Sequence, residues 1–501
     1  MNLAMILDAM ATTEPSRTCV TGSGHQLTYA QMIRVAEQIR VRLDSIRAAG
    51  TIAYLGETSL ASVCLLFGAA AAGWTFAPLN YRLRVGEMLA LVERSGADII
   101  AGTARQLETF PDRDRVWLAS DEILGDLDLR QAAADDSVTE LKYELADGTA
   151  VALFSSGTTS KPKLIRLSHA NMLSYLFNTV ELASAAPSEA IMVSAPPYHI
   201  AGVANVLSNL YRGRRLVIVP HFDAADWLVL AARERATHAM LVPTMLVRLL
   251  EEMGASGAPF PPTMTNISLG GAAVSPALLL RATEALPQVD LVVAYGLTET
   301  SSSVTLLGPA DIRKATQAQT PEGRAVLESV GRPIPGIELE VRGEDGVVCG
   351  PRVAGEIWVR GEQISSAGYG QADDGWFRTR DLGYLDERGF VFLLGRADDV
   401  IIRGGENIMP TEIEQVLESH PAVLEAAVVG IPDEEWGEVL EAAIVTRSEV
   451  DPEELRSHVR ARLAGYKVPR RVHAVDELPR NSTGKLLRRD VMDQLSGDEG
   501  R

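Results

Sequence analysis

Hydrophobic and polar positions alternate along the first two thirds of the chain as they do in α/β proteins. Short apolar runs that predict buried strands lie at Leu216–Val219, Ala239–Val242, Ile267–Leu269 and Leu291–Ala294. Helical segments, such as Trp227–Ala236 and Pro276–Ala285, lie between several of these runs. Because buried strands that alternate with helices are typical of parallel sheets, the pattern predicts an α/β fold with mostly parallel sheets.

The stretch between Glu57 and Arg82 carries no charged residue, and it is long enough to raise the question of a transmembrane helix. Two glycines and a proline interrupt it, and much of it is alanine. A buried helix over about Leu60–Ala72, followed by a buried strand, explains the composition better. We therefore expect no integral membrane segment.

The pattern changes after about residue 330. Strand-like runs at Glu338–Arg342, Gly355–Val359 and Phe390–Leu394 are joined by turns. A polar stretch, Gly395–Asp399, then precedes a compact tail in which helices are predicted to begin at Pro410 and at Asp451-Pro452.

This pattern predicts two domains. The large one, residues 1–396, combines parallel-rich sheets and helices with a β-rich subdomain at about 331–396. The small one, residues 397–501, is expected to be a mobile α+β domain.

Composition excludes several classes of protein. A net charge of −19 argues against a nucleic-acid surface, which needs basic patches. The three cysteines, Cys19, Cys64 and Cys349, lie too far apart for a disulfide framework or a zinc motif. The first ten residues contain Asp8 and no basic residue, unlike a secretory signal. These features indicate a cytoplasmic protein.

A loop rich in hydroxyl groups follows the apolar run Ala150–Phe154 and is suited to phosphate. Small side chains let backbone N–H groups approach phosphate oxygens, hydroxyls donate hydrogen bonds, and ammonium groups balance the charge. A Walker A loop requires Gly-Lys-Ser/Thr at its end, whereas Lys161 stands between Ser160 and Pro162. The candidate phosphate-binding residues are Ser155, Ser156, Gly157, Thr158, Thr159, Ser160, Lys161 and Lys163.

Six motifs, taken in order, resemble the adenylate-forming (ANL) superfamily, which includes acyl-CoA synthetases. They are Phe154–Lys163, Tyr295–Glu299, Gly355–Ile357, Thr379–Asp381, Gly395–Asp399 and Asn481–Lys485. The stretches Gly404–Glu414 and Gly465–Pro469 are most similar to the acyl-CoA synthetase branch. The resemblance covers nearly the whole chain.

The chemistry that this resemblance implies is activation of a carboxylic acid. Hydroxide is a poor leaving group, so the acid is transferred to the α-phosphate of ATP before coenzyme A attacks. Catalysis then depends on positioning and on neutralising negative charge. By resemblance, Glu299 binds Mg²⁺, and Thr298 contacts the α-phosphate and the metal.

The resemblance also assigns the nucleoside contacts. Asp381 would accept hydrogen bonds from the ribose hydroxyls, and Arg396 would be the second ribose contact. Taken alone, Asp381 could be a turn aspartate and Arg396 a surface arginine. Tyr295 beside Gly296 would stack near adenine, and the adenine and acyl wall would be Gly270, Gly271, Ala272 and Ala273.

Lys485 matches the family lysine that bridges the carboxylate and the α-phosphate during adenylation. On position alone, it would be a solvated surface lysine. The small domain would turn about Asp398 to deliver it, and in a second orientation Gly404, Gly405 and Glu406 would face the site and admit the pantetheine arm.

His199 follows Pro196-Pro197-Tyr198, and it could simply be a structural histidine. In acyl-CoA synthetases this aromatic–histidine pair gates the carboxylate pocket, so His199 is expected to line the acyl site. With Val203, Gly270 and Ala272 it forms a small or apolar set that favours a monocarboxylic fatty, alicyclic or aromatic acid.

The resulting expectation is an AMP-forming acid:CoA ligase that uses ATP, Mg²⁺ and coenzyme A and can form a homodimer. Two alternatives stay open: an acyl-AMP ligase that loads a carrier protein, and a weakened homologue that only binds nucleotide or acyl groups. Three positions depart from the family pattern, because Ser160, Leu164 and Arg380 stand where glycine is usual.

Overall fold

The computed structural model describes residues 1–108, 116–119, 140–145, 148–155, 162–365, 374–480 and 486–497. Its chain divides into two compact units. The first contains residues 1–338 and 359–377, and the second contains residues 339–358 and 378–501. The division by compactness therefore runs through the β-rich segment, and the domain boundary at 396/397 stays a prediction.

A nine-stranded sheet forms the larger framework of the first unit. Its strands lie in the order β15-β14-β13-β12-β11-β9-β10-β1-β2. They are β1 Thr18–Gly22, β2 His25–Thr28, β9 Ala190–Val193, β10 Arg215–Ile218, β11 His238–Leu241, β12 Asn266–Leu269, β13 Asp290–Leu297, β14 Ser302–Leu307 and β15 Arg332–Pro333. The pairs from β1 through β10, β9, β11 and β12 to β13 are parallel. The predicted parallel-rich α/β architecture is confirmed.

A six-stranded sheet in the order β6-β5-β3-β4-β7-β8 is the second framework of this unit. Its strands are β3 Thr51–Leu55, β4 Thr75–Leu79, β5 Ile99–Gly102, β6 Val116–Ala119, β7 Thr149–Ser155 and β8 Lys163–Ser168. Strands β7 and β8 are antiparallel, with Phe154 opposite Leu164 and Ser155 opposite Lys163. Leu164 thus lies in a strand, where its side chain meets no special backbone requirement.

The helices of the first unit cover the sheets. They are α1 Ala4–Thr13, α2 Tyr29–Ile46, α3 Leu60–Ala71, α4 Val85–Ser95, α5 Ala104–Glu108, α6 His169–Thr179, α7 Ile200–Arg212, α8 Ala224–Arg233, α9 Pro243–Ser256, α10 Pro276–Ala285, α11 Pro309–Gln317 and α12 Pro321–Arg324. Helix α2 begins with a capping box, in which Thr28 and Gln31 exchange hydrogen bonds. Every residue of α3 is buried, as its apolar composition predicts. Among the helices that the structure describes, none is long and apolar enough to cross a membrane.

The second unit holds most of a four-stranded sheet and all of a five-stranded sheet. The strands of the four-stranded sheet are β16 Glu338–Arg342, β17 Gly355–Arg360, β18 Phe377–Leu385 and β19 Val391–Arg396. The strands of the five-stranded sheet are β20 Ile401–Arg403, β21 Glu406–Ile408, β22 Val423–Asp433, β23 Gly437–Thr446 and β24 Arg471–Ala474. Helices α13 Pro410–Glu418 and α14 Pro452–Arg460 carry proline in their first turn, as predicted, and α15 spans Arg488–Gly497. A core of Ile413, Leu417, Val428 and Leu440 joins α13 to this sheet.

Candidate active site

Three parallel strands of the nine-stranded sheet, β9, β12 and β13, carry predicted site residues at or after their carboxyl ends. In a parallel sheet, the loops that follow the carboxyl ends of strands meet at the same edge and form the usual ligand crevice. His199 follows β9, Gly271–Ala273 follow β12, and Tyr295–Glu299 complete β13 and its turn. The sequence-predicted adenine, acyl and metal residues of the first unit are therefore brought together.

A short 3-10 turn, Thr298–Thr300, holds the predicted metal carboxylate. The Leu297 amide donates to Thr300 Oγ1 at 2.9 Å, which closes the turn from inside. Gly296 precedes it because a side chain is excluded there: a Cβ would lie 1.9 Å from the Ser302 carbonyl oxygen. The turn therefore depends on glycine at 296 and on the buried hydroxyl of Thr300.

Gln363 fixes the far side of the same turn. This residue is 1 % exposed, and its Nε2 donates to the carbonyl oxygens of Thr300 and Ser303, each at 2.9 Å. Ser301 Oγ donates back to the Gln363 carbonyl at 2.6 Å. These three hydrogen bonds of the buried Gln363 support the turn from its far side.

Ser365 connects the Thr298–Thr300 turn to β8, the strand that follows the predicted phosphate loop. Its amide donates to the Glu299 carbonyl at 2.8 Å, and its Oγ donates to the Arg166 carbonyl in β8 at 2.7 Å. Because β8 begins at Lys163, one buried serine ties both predicted phosphate-side elements together. Sequence reasoning missed Gln363 and Ser365, and nothing in their polar, unpatterned segment could have revealed these partners.

The described flanks of the phosphate loop are held by Arg94, which lies in the last turn of α4. Its guanidinium donates to the Pro162 carbonyl and lies 5.3 Å from the centre of the Phe154 ring. Ser155 and Lys163 face each other as the last and first residues of β7 and β8. The remaining loop residues predicted to bind phosphate, Ser156–Lys161, lie outside the described residues.

His199 caps α7 within an aromatic cluster. Its ring centre lies 4.5 Å from that of Tyr198, which meets Tyr81 edge-on at 5.6 Å. Burial, together with the smaller effect of the positive charge of Arg82, lowers the pKa of His199 to about 4. An imidazole with so low a pKa is neutral at pH 7 and is a weak proton acceptor, so it suits a residue that lines an acyl pocket better than a general base.

In the second unit, the predicted ribose residues Asp381 and Arg396 stand opposite each other in the β18–β19 pair. Arg396 Nη1 lies 3.0 Å from Asp381 Oδ1, and Asp381 is 6 % exposed. Arg396 Nε is buried and has no hydrogen-bond partner among the described residues. A buried donor in that state is costly, so it is suited to a polar ligand.

The predicted coenzyme A segment forms a tight hairpin between β20 and β21. Arg403 pairs with Glu406, and both intervening glycines have positive φ, +59° at Gly404 and +87° at Gly405. A two-residue turn with two such angles is available almost only to glycine, asparagine or aspartate. The catalytic lysine of the prediction, Lys485, lies outside the described residues.

The predicted metal residues fit a Mg²⁺ ion that is held jointly by the protein and by the phosphates of the nucleotide. Among the residues that the structure describes, no group of three His, Cys, Asp or Glu side chains could enclose a metal ion. Mg²⁺ commonly takes one or two carboxylates and completes its shell with phosphate oxygens and water. Glu299, on its rigid turn, fits that role.

Two protein-family models match the chain. The AMP-binding enzyme model matches residues 7–369, and the model of the AMP-binding enzyme C-terminal domain matches residues 412–485. The chain belongs to the AMP-binding enzyme family. This confirms the resemblance to the adenylate-forming superfamily and the prediction of an enzyme of the ligase class.

Two relatives are similar to this chain along nearly its whole length, and both are ligases. A fatty acid–[acyl-carrier-protein] ligase, ScoC of Streptomyces coeruleorubidus, is 33 % identical over 97 % of this chain and 95 % of its own. The 2-succinylbenzoate–CoA ligase of Bacillus licheniformis is 32 % identical over 95 % of this chain and 96 % of its own.

A solved structure shows the same architecture. The o-succinylbenzoate CoA synthetase (MenE) of Bacillus subtilis, in complex with its acyl-adenylate intermediate, is 30 % identical, covers 98 % of this chain and 97 % of its own, and gives a TM-score of 0.81. The same enzyme has been solved with ATP and a magnesium ion. The predicted fold is therefore confirmed, and ATP and Mg²⁺ are the ligands of a close structural neighbour.

Proposed function

We propose that this protein is an AMP-forming carboxylic acid:CoA ligase that acts in the cytoplasm. It activates a monocarboxylic fatty, alicyclic or aromatic acid with ATP to give acyl-AMP and pyrophosphate, and then transfers the acyl group to coenzyme A. The observation that carries the proposal is the braced turn of Thr298 and Glu299, in a chain similar over nearly its whole length to CoA ligases.

The proposed roles follow from the chemistry of each group. Mg²⁺ would supply positive charge against the triphosphate, and Glu299 would help to hold it. Asp381 and Arg396 would hold the ribose, with the Asp381 carboxylate accepting from its hydroxyls. The neutral His199 and its aromatic neighbours would form one wall of the acyl pocket and exclude water from it.

The phosphate-side residues and Lys485 would act through charge. Ser155, Lys163 and the loop between them would donate to the departing pyrophosphate. Lys485 would offset the charge that builds on the carboxylate and α-phosphate as they approach. Gly404 and Gly405 would leave room for the pantetheine arm beside the backbone.

A carrier-protein ligase is the second candidate, and the similarity to ScoC favours it. Pyrophosphate release that depends on acid, ATP and Mg²⁺ tests the shared first step. Consumption of coenzyme A after that step supports the CoA ligase, whereas acylation of a carrier protein without consumption of coenzyme A supports the alternative. No release with any acid of a broad panel would indicate a binding protein.

Replacement of Lys485 separates the two half-reactions. Lys485→Ala should cripple acid-dependent pyrophosphate release by at least about a hundredfold, because a charge aimed at the transition state is lost. Transfer from preformed acyl-AMP to coenzyme A should be spared. Equal loss in both half-reactions would remove the role assigned to this lysine.

A further inference from the structure

Arg380 has a backbone conformation that side chains disfavour. Its φ of +63° lies in the left-handed region, where the Cβ crowds the backbone of any residue except glycine. Glycine is the residue usual at this position in the family pattern. Arg380 thus keeps the conformation of a glycine while adding a long cationic side chain.

That side chain reaches the predicted hinge residue. Arg380 Nη1 lies 2.9 Å from Asp398 Oδ1, and the Asp398 side chain is 22 % exposed. Arg378, two residues earlier on β18, pairs with Glu356 at 2.6 Å. The ion pair with Asp398 therefore belongs to Arg380 among the arginines of this strand.

Two residues of the hinge segment, which we define as Arg396–Asp399, are held by adjacent residues in the middle of β18. Asp381 pairs with Arg396 at 3.0 Å, and Arg380 pairs with Asp398. Both contacts lie within the second compact unit, so they do not depend on how the two units are arranged.

We propose that Arg380 is a positioning residue that pins Asp398 and thereby sets how readily the hinge segment turns between the two half-reactions. This inference rests on the proposed function, because only a two-step ligase needs that turn. A partly exposed ion pair shifts a two-state equilibrium by about two- to fivefold, which is enough to change the balance of the two steps.

The test compares Arg380→Gly with Arg352→Gly. Arg352 is a matched control, because it has a φ of +59°, lies in the same unit and pairs with Glu387 at 3.0 Å, away from the hinge segment. Both changes remove one surface ion pair. Both also relieve the strain of a positive φ, because glycine adopts that conformation without steric cost. Two readouts are used: trypsin cleavage after Arg396 and Arg403, mapped by mass spectrometry, and the ratio of the two half-reaction rates.

If the Arg380–Asp398 ion pair restrains the hinge segment, Arg380→Gly should speed cleavage after Arg396 or Arg403 by about two- to fivefold. The ratio of the two half-reaction rates should shift by a similar factor. Arg352→Gly should change neither, and Arg380→Lys should restore part of the wild-type behaviour. Equal cleavage and an equal rate ratio in the two glycine variants would overturn the inference. Faster cleavage in Arg380→Gly, without adenylation of any acid, would support the restraint of the hinge segment by Arg380 and refute the proposed function.

Discussion

At the scale of single residues, the pair Asp381–Arg396 carries the most specific assignment. Asp381 is buried in the middle of β18, and its amide donates to Thr379 Oγ1 at 3.1 Å. The carboxylate can accept from neighbouring hydroxyl groups while Arg396 balances its charge.

Replacement of Asp381 by asparagine should therefore weaken nucleotide binding. Charge-assisted hydrogen bonds contribute about 1.5–3 kcal/mol, so the KM for ATP should rise by about ten- to a hundredfold in Asp381→Asn. Pyrophosphate release at varied ATP measures it. Asp386→Asn is the control, because this buried aspartate in the turn between β18 and β19 accepts from the backbone amides of Arg388 and Phe390. A rise in KM equal to that of Asp386→Asn would contradict the ribose role.

At the scale of elements, the contacts of Ser365 join a strand and a turn that are far apart in sequence. The Ser365 hydroxyl donates to Arg166 in β8, while its amide donates to Glu299. The turn and the strand can hold their spacing only if this connection is kept. Precise spacing matters, because small misplacements of catalytic groups have large effects on rate.

Ser365→Ala should lower the rate of adenylation by about three- to tenfold, since it removes about 1 kcal/mol of support and loosens that spacing. The backbone contact with Glu299 is kept in this variant. Ser329→Ala is the control, because Ser329 is a buried serine of the first unit whose Oγ donates to Val326, three residues away. Both variants should lose similar stability in thermal unfolding. An unchanged rate in Ser365→Ala would show that the connection is only structural.

Element by element, the prediction from sequence succeeded where the signal was local. The capping box at Thr28 and the proline at the start of α13 depend on neighbouring residues, so the sequence contains them. The partners of Ser365 and Gln363 are set by tertiary packing, which no periodicity encodes. The positive φ of Arg380 could not be predicted either, because arginine carries no propensity for that conformation.

At the scale of the whole molecule, buried histidines couple stability to pH. His169 is 1 % exposed, and its Nδ1 accepts a hydrogen bond from the Leu3 amide at 3.1 Å. Burial lowers the pKa of His169 to about 4, below the value of about 6.5 in unfolded chains. The unfolded state therefore binds the proton first, and the stability present above pH 6.5 is lost as the pH falls towards 4.

His169→Asn should reduce this pH dependence. Asparagine can accept from the Leu3 amide but does not titrate, so the wild type should lose about 1 kcal/mol more than the variant between pH 7 and 5.5. Urea unfolding at the two pH values measures the difference. His25→Asn, at an exposed position, should behave as the wild type. The same pH dependence in His169→Asn and wild type would exclude His169 as a source.

Some parts of the candidate site can be predicted from the sequence of the whole chain, and others cannot. Glu299, Asp381 and Arg396 were assigned through motifs that resemble those of the family, and their roles stay predictions. The predicted acyl wall around His199 gives a substrate class and no further detail, since packing, not residue type, shapes such a pocket. The homodimer stays a prediction.

The central claim is that the chain converts a carboxylic acid into a CoA thioester through an acyl-adenylate. Mass spectrometry of one reaction, with ATP, Mg²⁺, coenzyme A and a panel of monocarboxylic acids, tests it most directly. The account predicts AMP and an acyl-CoA with each accepted acid, and an acyl-AMP when coenzyme A is left out. Recovery of every acid unchanged, with ATP intact or cleaved only to ADP, would contradict it.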